Sequence, residues 1–104
     1  MTVYHKFKAN PTKVDNIKFS SKLEAKYYEQ LKLRQKSGEV LFFLRQVPMA
    51  IPGNKKYVVD FLEFHSNGEV VFTEVKGMRI PLGELKISLV EDLYPIKINV
   101  VSKV

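Results

Sequence analysis

The stretch from Tyr57 to Lys76 constrains this chain more than any other. Residues 57–64 (Tyr57-Val58-Val59-Asp60-Phe61-Leu62-Glu63-Phe64) and 69–76 (Glu69-Val70-Val71-Phe72-Thr73-Glu74-Val75-Lys76) are rich in β-branched and aromatic residues. Between them lies His65-Ser66-Asn67-Gly68. Apolar runs of this composition around Asn-Gly predict two β-strands joined by a tight turn. Asp60, Glu74 and Lys76 interrupt the runs. Strand side chains alternate between faces, so Glu74 and Lys76 share the face of Val70 and Phe72. Charges at the end of an apolar face cost free energy unless something pairs with them.

The turn decides whether Asp60 joins them. A two-residue Asn67-Gly68 loop pairs Ser66 with Glu69 and sends Asp60 and Glu74 to opposite faces. A three-residue loop, Ser66-Asn67-Gly68, pairs His65 with Glu69 and brings Asp60 opposite Glu74, with Gly68 left-handed as a bulge. A one-residue slip moves every side chain to the other face. We favour the three-residue loop, because the other register strands a charge on each face.

Two carboxylates side by side, with a lysine one step along, suit a divalent-metal site for phosphodiester chemistry. Oxygen ligands match Mg²⁺ or Mn²⁺. A metal there polarises a phosphate and lowers the pKa of a water nucleophile, and the lysine can hold that water or offset charge in the transition state. The same spacing also fits a structural Asp/Glu–Lys cluster at a strand end.

Composition narrows the setting. With 104 residues and 45% hydrophobic residues, the chain is expected to form a single globular domain over 1–104. It has no cysteine and only His5 and His65, which argues against disulfides and thiolate or histidine zinc sites. No membrane span or signal-peptide core is visible, so a cytoplasmic protein is expected. The net charge is +6, and residues 1–36 hold nine Lys/Arg against three acids while the remainder balances. That concentration fits a polyanion-binding arm and helix, or a solubilising basic tail.

Residues 1–19 are expected to be a basic, partly ordered arm, with a short strand near Val3–Phe7 and turns at Asn10-Pro11 and Asp15-Asn16. Its lysines, among them Lys6 and Lys8, alternate with aromatics that can stack on bases or simply pack. Ser21 and Glu24 fit a capping box opening a helix with an apolar Leu23/Tyr27/Leu31 stripe, ending near Ser37-Gly38. Lys22 and Lys26 lie on its other faces. Residues 39–46 read as a strand that continues or kinks at 47–51, where Pro48 implies an edge or bulge. After the break at 77–83, which contains Arg79, Leu82, Leu85, Leu89 and Leu93 (with Val90) follow helical spacing until Pro95. Lys86 lies beside that stripe, as a snorkelling lysine or within reach of the sheet's charged edge. Residues 96–104 alternate as a last strand. A strand–helix–strand crossover makes that strand a parallel neighbour in a mixed sheet flanked by helices.

Asp60, thirteen intervening residues and Glu74-Val75-Lys76 resemble the signature of the PD-(D/E)XK nuclease superfamily. Val59 replaces the usual proline. Phe19-x-Ser21-Lys22-x-Glu24-Ala25-x-x-Tyr28-x-x-Leu31 is similar to the first helix of small phage-encoded members, and Gln46 to a glutamine they carry near the site. The resemblance covers roughly 17–104 and implies a restriction-endonuclease-like αβββαβ core, an α/β (α+β) fold with a four-stranded mixed sheet. It implies a Mg²⁺- or Mn²⁺-dependent endodeoxyribonuclease, close to Holliday-junction-resolvase-like members, that acts on branched or duplex DNA in phage DNA metabolism. Asp60, Glu74 and the Val75 carbonyl would hold the metal, Glu24 would bind metal or water, and Lys76 would position the attacking water. Lys6, Lys8, Lys22, Lys26, Arg79 and Lys86 would bind nucleic acid. A homodimer is expected, with no small-molecule cofactor and no membrane. The alternatives are a non-catalytic nucleic-acid-binding module, a protein-interaction (inhibitor) module on the same fold, or an RNase.

Overall fold

A computed structural model describes residues 12–77 and 81–104 of the chain. The described elements are β1 (Thr12–Val14), β2 (Ile17–Phe19), α1 (Lys22–Lys36), β3 (Val40–Ile51), β4 (Lys55–His65), β5 (Val70–Val75), α2 (Pro81–Leu93) and β6 (Ile98–Val101). The last four strands form one sheet in the order β3-β4-β5-β6. Its first three strands are antiparallel neighbours and β6 runs parallel to β5, with α2 as the crossover. This is the α+β mixed sheet that the order of apolar patterns predicts. Pro48 sits on β3, an edge strand, where its missing amide donor is tolerated.

The two helices bury different parts of the sheet. Ala25, Tyr27, Tyr28 and Leu31 of α1 pack with Phe19, Val40, Phe61 and Val75. Ile87 and Val90 of α2 pack with Ile51, Tyr57, Val59 and Ile98. Phe61 and Val59 therefore serve different clusters although they are two residues apart on β4. Between them the sheet narrows: β4 pairs with β5 from Phe61 toward the turn, and Val59 pairs only with Val47 of β3. Gln46 interrupts β3 at the same level with φ +53.

The hairpin takes the three-residue loop. His65 N donates to Glu69 O at 2.9 Å, Gly68 N donates to His65 O at 3.0 Å, and Gly68 has φ +94. The register runs Phe64–Val70, Leu62–Phe72 and Phe61–Thr73, so Asp60 faces Glu74 one step on.

One expectation is corrected. Residues 12–19 are not an arm: β1 and β2 form their own hairpin, pairing Val14 with Ile17 across Asp15-Asn16. Both turn residues have positive φ (53° and 63°), as a two-residue hairpin turn of the right twist requires. Asp15 then accepts hydrogen bonds from Tyr28 Oη at 2.9 Å and from Lys32, which tie the hairpin to α1. The Lys32 ammonium and then the Tyr28 hydroxyl hold the Asp15 carboxyl below its usual range. The strand placed at Val3–Phe7 lies outside the described residues.

On α2, Leu82, Leu85 and Leu93 are 60%, 57% and 52% exposed, so most of the leucine stripe lies outward. Gly83, Ile87 and Val90, on an adjacent helix face, are buried instead. The helix has two apolar faces, and the narrower one, with a glycine and two β-branched residues, lies against the sheet.

Candidate active site

Asp60, Glu74 and Gln46 stand in one row across three strands. Gln46 falls between the Arg45–Phe61 and Val47–Val59 pairs, opposite Asp60, and Asp60 faces Glu74. Glu74 in turn pairs with Val100 of β6. The strands open at this row, and Asp60 fills the opening: its Oδ2 accepts a hydrogen bond from the Val75 amide at 2.8 Å.

Asp60 is electrostatically stressed. Burial, and then the charge of Glu74, push its carboxyl up to about 7; the Val75 amide opposes this, Glu24 adds to it, and Gln46 opposes it. Glu74 is buried, and its Oε1 has no hydrogen-bond partner among the described residues. Its Oε2 lies 3.6 Å from Lys76 Nζ, so the Glu-x-Lys pair shares a face as strand alternation requires. The buried Tyr57 hydroxyl also lacks a partner. Burial, followed by the Glu74 charge, raises its phenol well above the ordinary range.

Glu24 reaches the site from α1. Ser21 caps the helix, its hydroxyl accepting from the Glu24 amide at 3.1 Å. The glutamate carboxylate turns toward the sheet, where it accepts from Ser20 Oγ at 2.8 Å and from Gln46 Nε2 at 3.2 Å. The serine half of the capping box forms, while the carboxylate is bonded to Ser20 and Gln46. Glu24 and Asp60 share an open cavity of about 340 Å³ with Lys18, Ser20, Arg45 and Gln46.

The remaining predicted positions are dispersed. Lys22 and Lys26 are exposed on α1, and Lys86 is exposed on α2; none of the three lines this cavity. Lys6, Lys8 and Arg79 lie outside the described residues.

Glu63 escapes sequence reasoning. It is 1% exposed, accepting hydrogen bonds from Tyr27 Oη and from Thr73 Oγ1 (2.7 Å), with His65 Nε2 at 2.8 Å and Arg34 Nη1 at 3.9 Å. It pairs with Val71 and Phe43 and, by strand alternation, belongs to the face opposite Asp60. Burial, and then this carboxylate, push the Tyr27 hydroxyl up to about 12. Every neighbour donates to or offsets the carboxylate, so this is a buried structural network. Only the polar residues at alternate positions, Glu63 and His65, hint at it in the sequence.

Metal fit can be judged from the donors. Among the described residues, no group of three or more His, Cys, Asp or Glu side chains stands together as a metal site. The orphaned Glu74 Oε1 and the stressed Asp60 nonetheless form a two-carboxylate donor set that a cation would satisfy. Mg²⁺ is commonly held by one or two carboxylates and otherwise by water and phosphate oxygens. The donor set fits.

A mixed four-stranded sheet flanked by helices, with a half-buried Asp60 beside a buried Glu74 and a lysine two residues further on, defines a small α+β domain with a polar site at the opening of its strands. The chain belongs to the family described as "Protein of unknown function (DUF1064)", whose model matches residues 4–103. No curated protein matches the chain, and no solved structure does. No helix among the described residues is long and apolar enough to cross a membrane.

Proposed function

We propose that the protein is a Mg²⁺- or Mn²⁺-dependent endonuclease of the PD-(D/E)XK type that hydrolyses DNA phosphodiesters. The observation that carries this is the Asp60–Glu74 row, with Glu74 Oε1 unpartnered and Lys76 on the same face. Asp60, Glu74 and the Val75 carbonyl would hold the metal, and Glu24 would bind metal or water. When bound, the metal supplies Lewis-acid polarisation of the phosphate and a more acidic water. Lys76 would position a water for in-line attack: the water oxygen would bond to phosphorus, with inversion, as the bond to the leaving oxygen breaks, the water's proton passing to solvent and the leaving oxygen taking one up. The ammonium also offsets charge that develops on the phosphoryl oxygens.

Branched or junction DNA in phage DNA metabolism is the preferred substrate class, and the host cytoplasm the compartment. Cutting two strands calls for two sites, so a homodimer belongs to the same proposal. The exposed leucines of α2 offer apolar surface for pairing. A second possibility, a non-catalytic nucleic-acid-binding module, draws support from the lack of a three-acid cluster among the described residues. Incubating the protein with labelled duplex, single-stranded and four-way-junction DNA, and with RNA, in Mg²⁺, Mn²⁺ or EDTA separates these. Metal-dependent cutting is expected, greatest on the junction; binding without cutting under every metal selects the module.

A further inference from the structure

We infer that Lys18 and Arg45 form a subsite for a backbone phosphate of the polynucleotide, next to the carboxylates; the inference rests on the phosphodiester function proposed above. Neither residue belongs to the carboxylate row. The β1–β2 hairpin delivers Lys18 and β3 delivers Arg45, and both line the cavity that holds Glu24 and Asp60.

Arg45 is held in place while its hydrogen-bonding capacity is unfilled. Its guanidinium carbon lies 4.5 Å from the centroid of the Phe19 ring, which fixes the plane of the group by cation–π contact. Its Nε is buried without a hydrogen-bond partner among the described residues. The acid beside it, Glu24 Oε2, is 3.8 Å from Nη2, beyond hydrogen-bond distance. Glu24 is already hydrogen-bonded by Ser20 and Gln46, so its carboxylate does not depend on Arg45 for a donor. A fixed, partly desolvated guanidinium with a free donor is suited to the fork geometry of a phosphate.

Lys18 adds a second, solvent-exposed charge. It sits at the centre of β2, exposed, while its neighbours Ile17 and Phe19 pack toward α1. Strand alternation thus turns Lys18 away from that core. The cavity brings two carboxylates, Glu24 and Asp60, and two cations, Lys18 and Arg45, to one opening, where a metal ion and a phosphate could be held together. Arg45 and Lys18 would touch substrate and set its position; they move no proton.

The test measures binding of a short labelled duplex in EDTA, across a salt series, by wild type, Arg45→Ala, Arg45→Lys, Lys18→Ala and a control, Lys97→Ala. The same preparations are assayed for cutting in Mg²⁺. Arg45→Ala and Lys18→Ala should each weaken binding about tenfold and lower the salt slope by about 1, as loss of one phosphate contact does. Arg45→Lys should keep the slope and lose part of the affinity. A methylphosphonate at one backbone position should abolish the difference between wild type and Arg45→Ala. Arg45→Ala removes a contact with Phe19, so melting curves accompany it, and the exposed Lys18 gives the independent arm. Wild-type slope and affinity in both Ala variants would overturn the subsite, even if wild type cuts DNA. Arg45-dependent binding with no cutting by wild type would support the subsite while refuting the catalytic function. Absence of DNA binding by wild type would overturn both.

Discussion

The carboxylate of Asp60 accepts the backbone amide of Val75 at 2.8 Å, the residue between Glu74 and Lys76. One acid of the proposed metal pair therefore fixes the backbone that carries the other acid and the lysine. The bond also explains how the sheet can open at this row: Asp60 replaces a ladder carbonyl as partner for that amide.

Asp60 gives the metal-free protein a defined pH dependence. Its folded pKa, about 7, lies above the unfolded value of 3.8, so the folded state holds this proton more tightly. The resulting stability is fully present below pH 3.8 and is lost as pH rises through about 7. Melting in EDTA should show that contribution declining across this window, by on the order of 2–4 kcal/mol, and Asp60→Asn should remove it. Mn²⁺ affinity should rise over the same window, because metal and proton compete for one carboxylate. A wild-type profile parallel to that of Asp60→Asn would contradict the assignment.

Glu63 should matter for folding and not for metal binding. Glu63→Ala leaves Tyr27 and Thr73 without their buried acceptor, which should cost about 3–5 kcal/mol. Since 1 kcal/mol corresponds to roughly 4–8 °C at this size, Tm should fall by more than ~10 °C. Mn²⁺ titration of the folded fraction should give the wild-type affinity.

The two faces of α2 should respond differently. Val90→Ala, at a fully buried position, should cost roughly 2 kcal/mol. Leu85→Ala, 57% exposed, should change the stability of the single chain by less than about 0.5 kcal/mol. Urea melts at low protein concentration compare the two, and equal losses would mean that the leucine stripe is buried after all. If α2 also joins two chains, Leu82→Glu with Leu85→Glu should reduce a dimeric solution mass to that of one chain.

Gly68 should hold the register. At φ +94 with nothing near its missing Cβ, Gly68→Ala meets no clash, so its cost is conformational, about 1 kcal/mol. A Tm unchanged by this substitution would argue against the left-handed bulge.

The legible parts of this chain were those set by local chemistry. Gly68 and the need to pair Asp60 with Glu74 specify the hairpin register, and Ser21 specifies the start of α1. Pro48 marks β3 as an edge. What was hidden depends on contacts between distant segments. Glu63 looks like a surface residue of a half-buried strand until Tyr27, 36 residues earlier, is placed over it. The leucine periodicity of α2 is real, but periodicity finds an apolar face without saying which of two faces meets the sheet. Asp15-Asn16 was visible as a turn, yet the hairpin around it emerges only when Phe19 and Tyr28 pack, with ring centroids 5.0 Å apart. Arg45 and Lys18 carry no motif; folding alone brings them to the cavity.

The most direct test of the central claim is single-turnover cleavage of four-way-junction DNA in Mn²⁺ by wild type and Glu74→Gln. The substitution keeps the size of the side chain and removes the charge proposed to hold the metal. The account predicts cutting by wild type that EDTA abolishes, and a rate at least about 10²-fold lower for Glu74→Gln, comparable to loss of one major electrostatic group at an active site. Equal rates for the two proteins would contradict it.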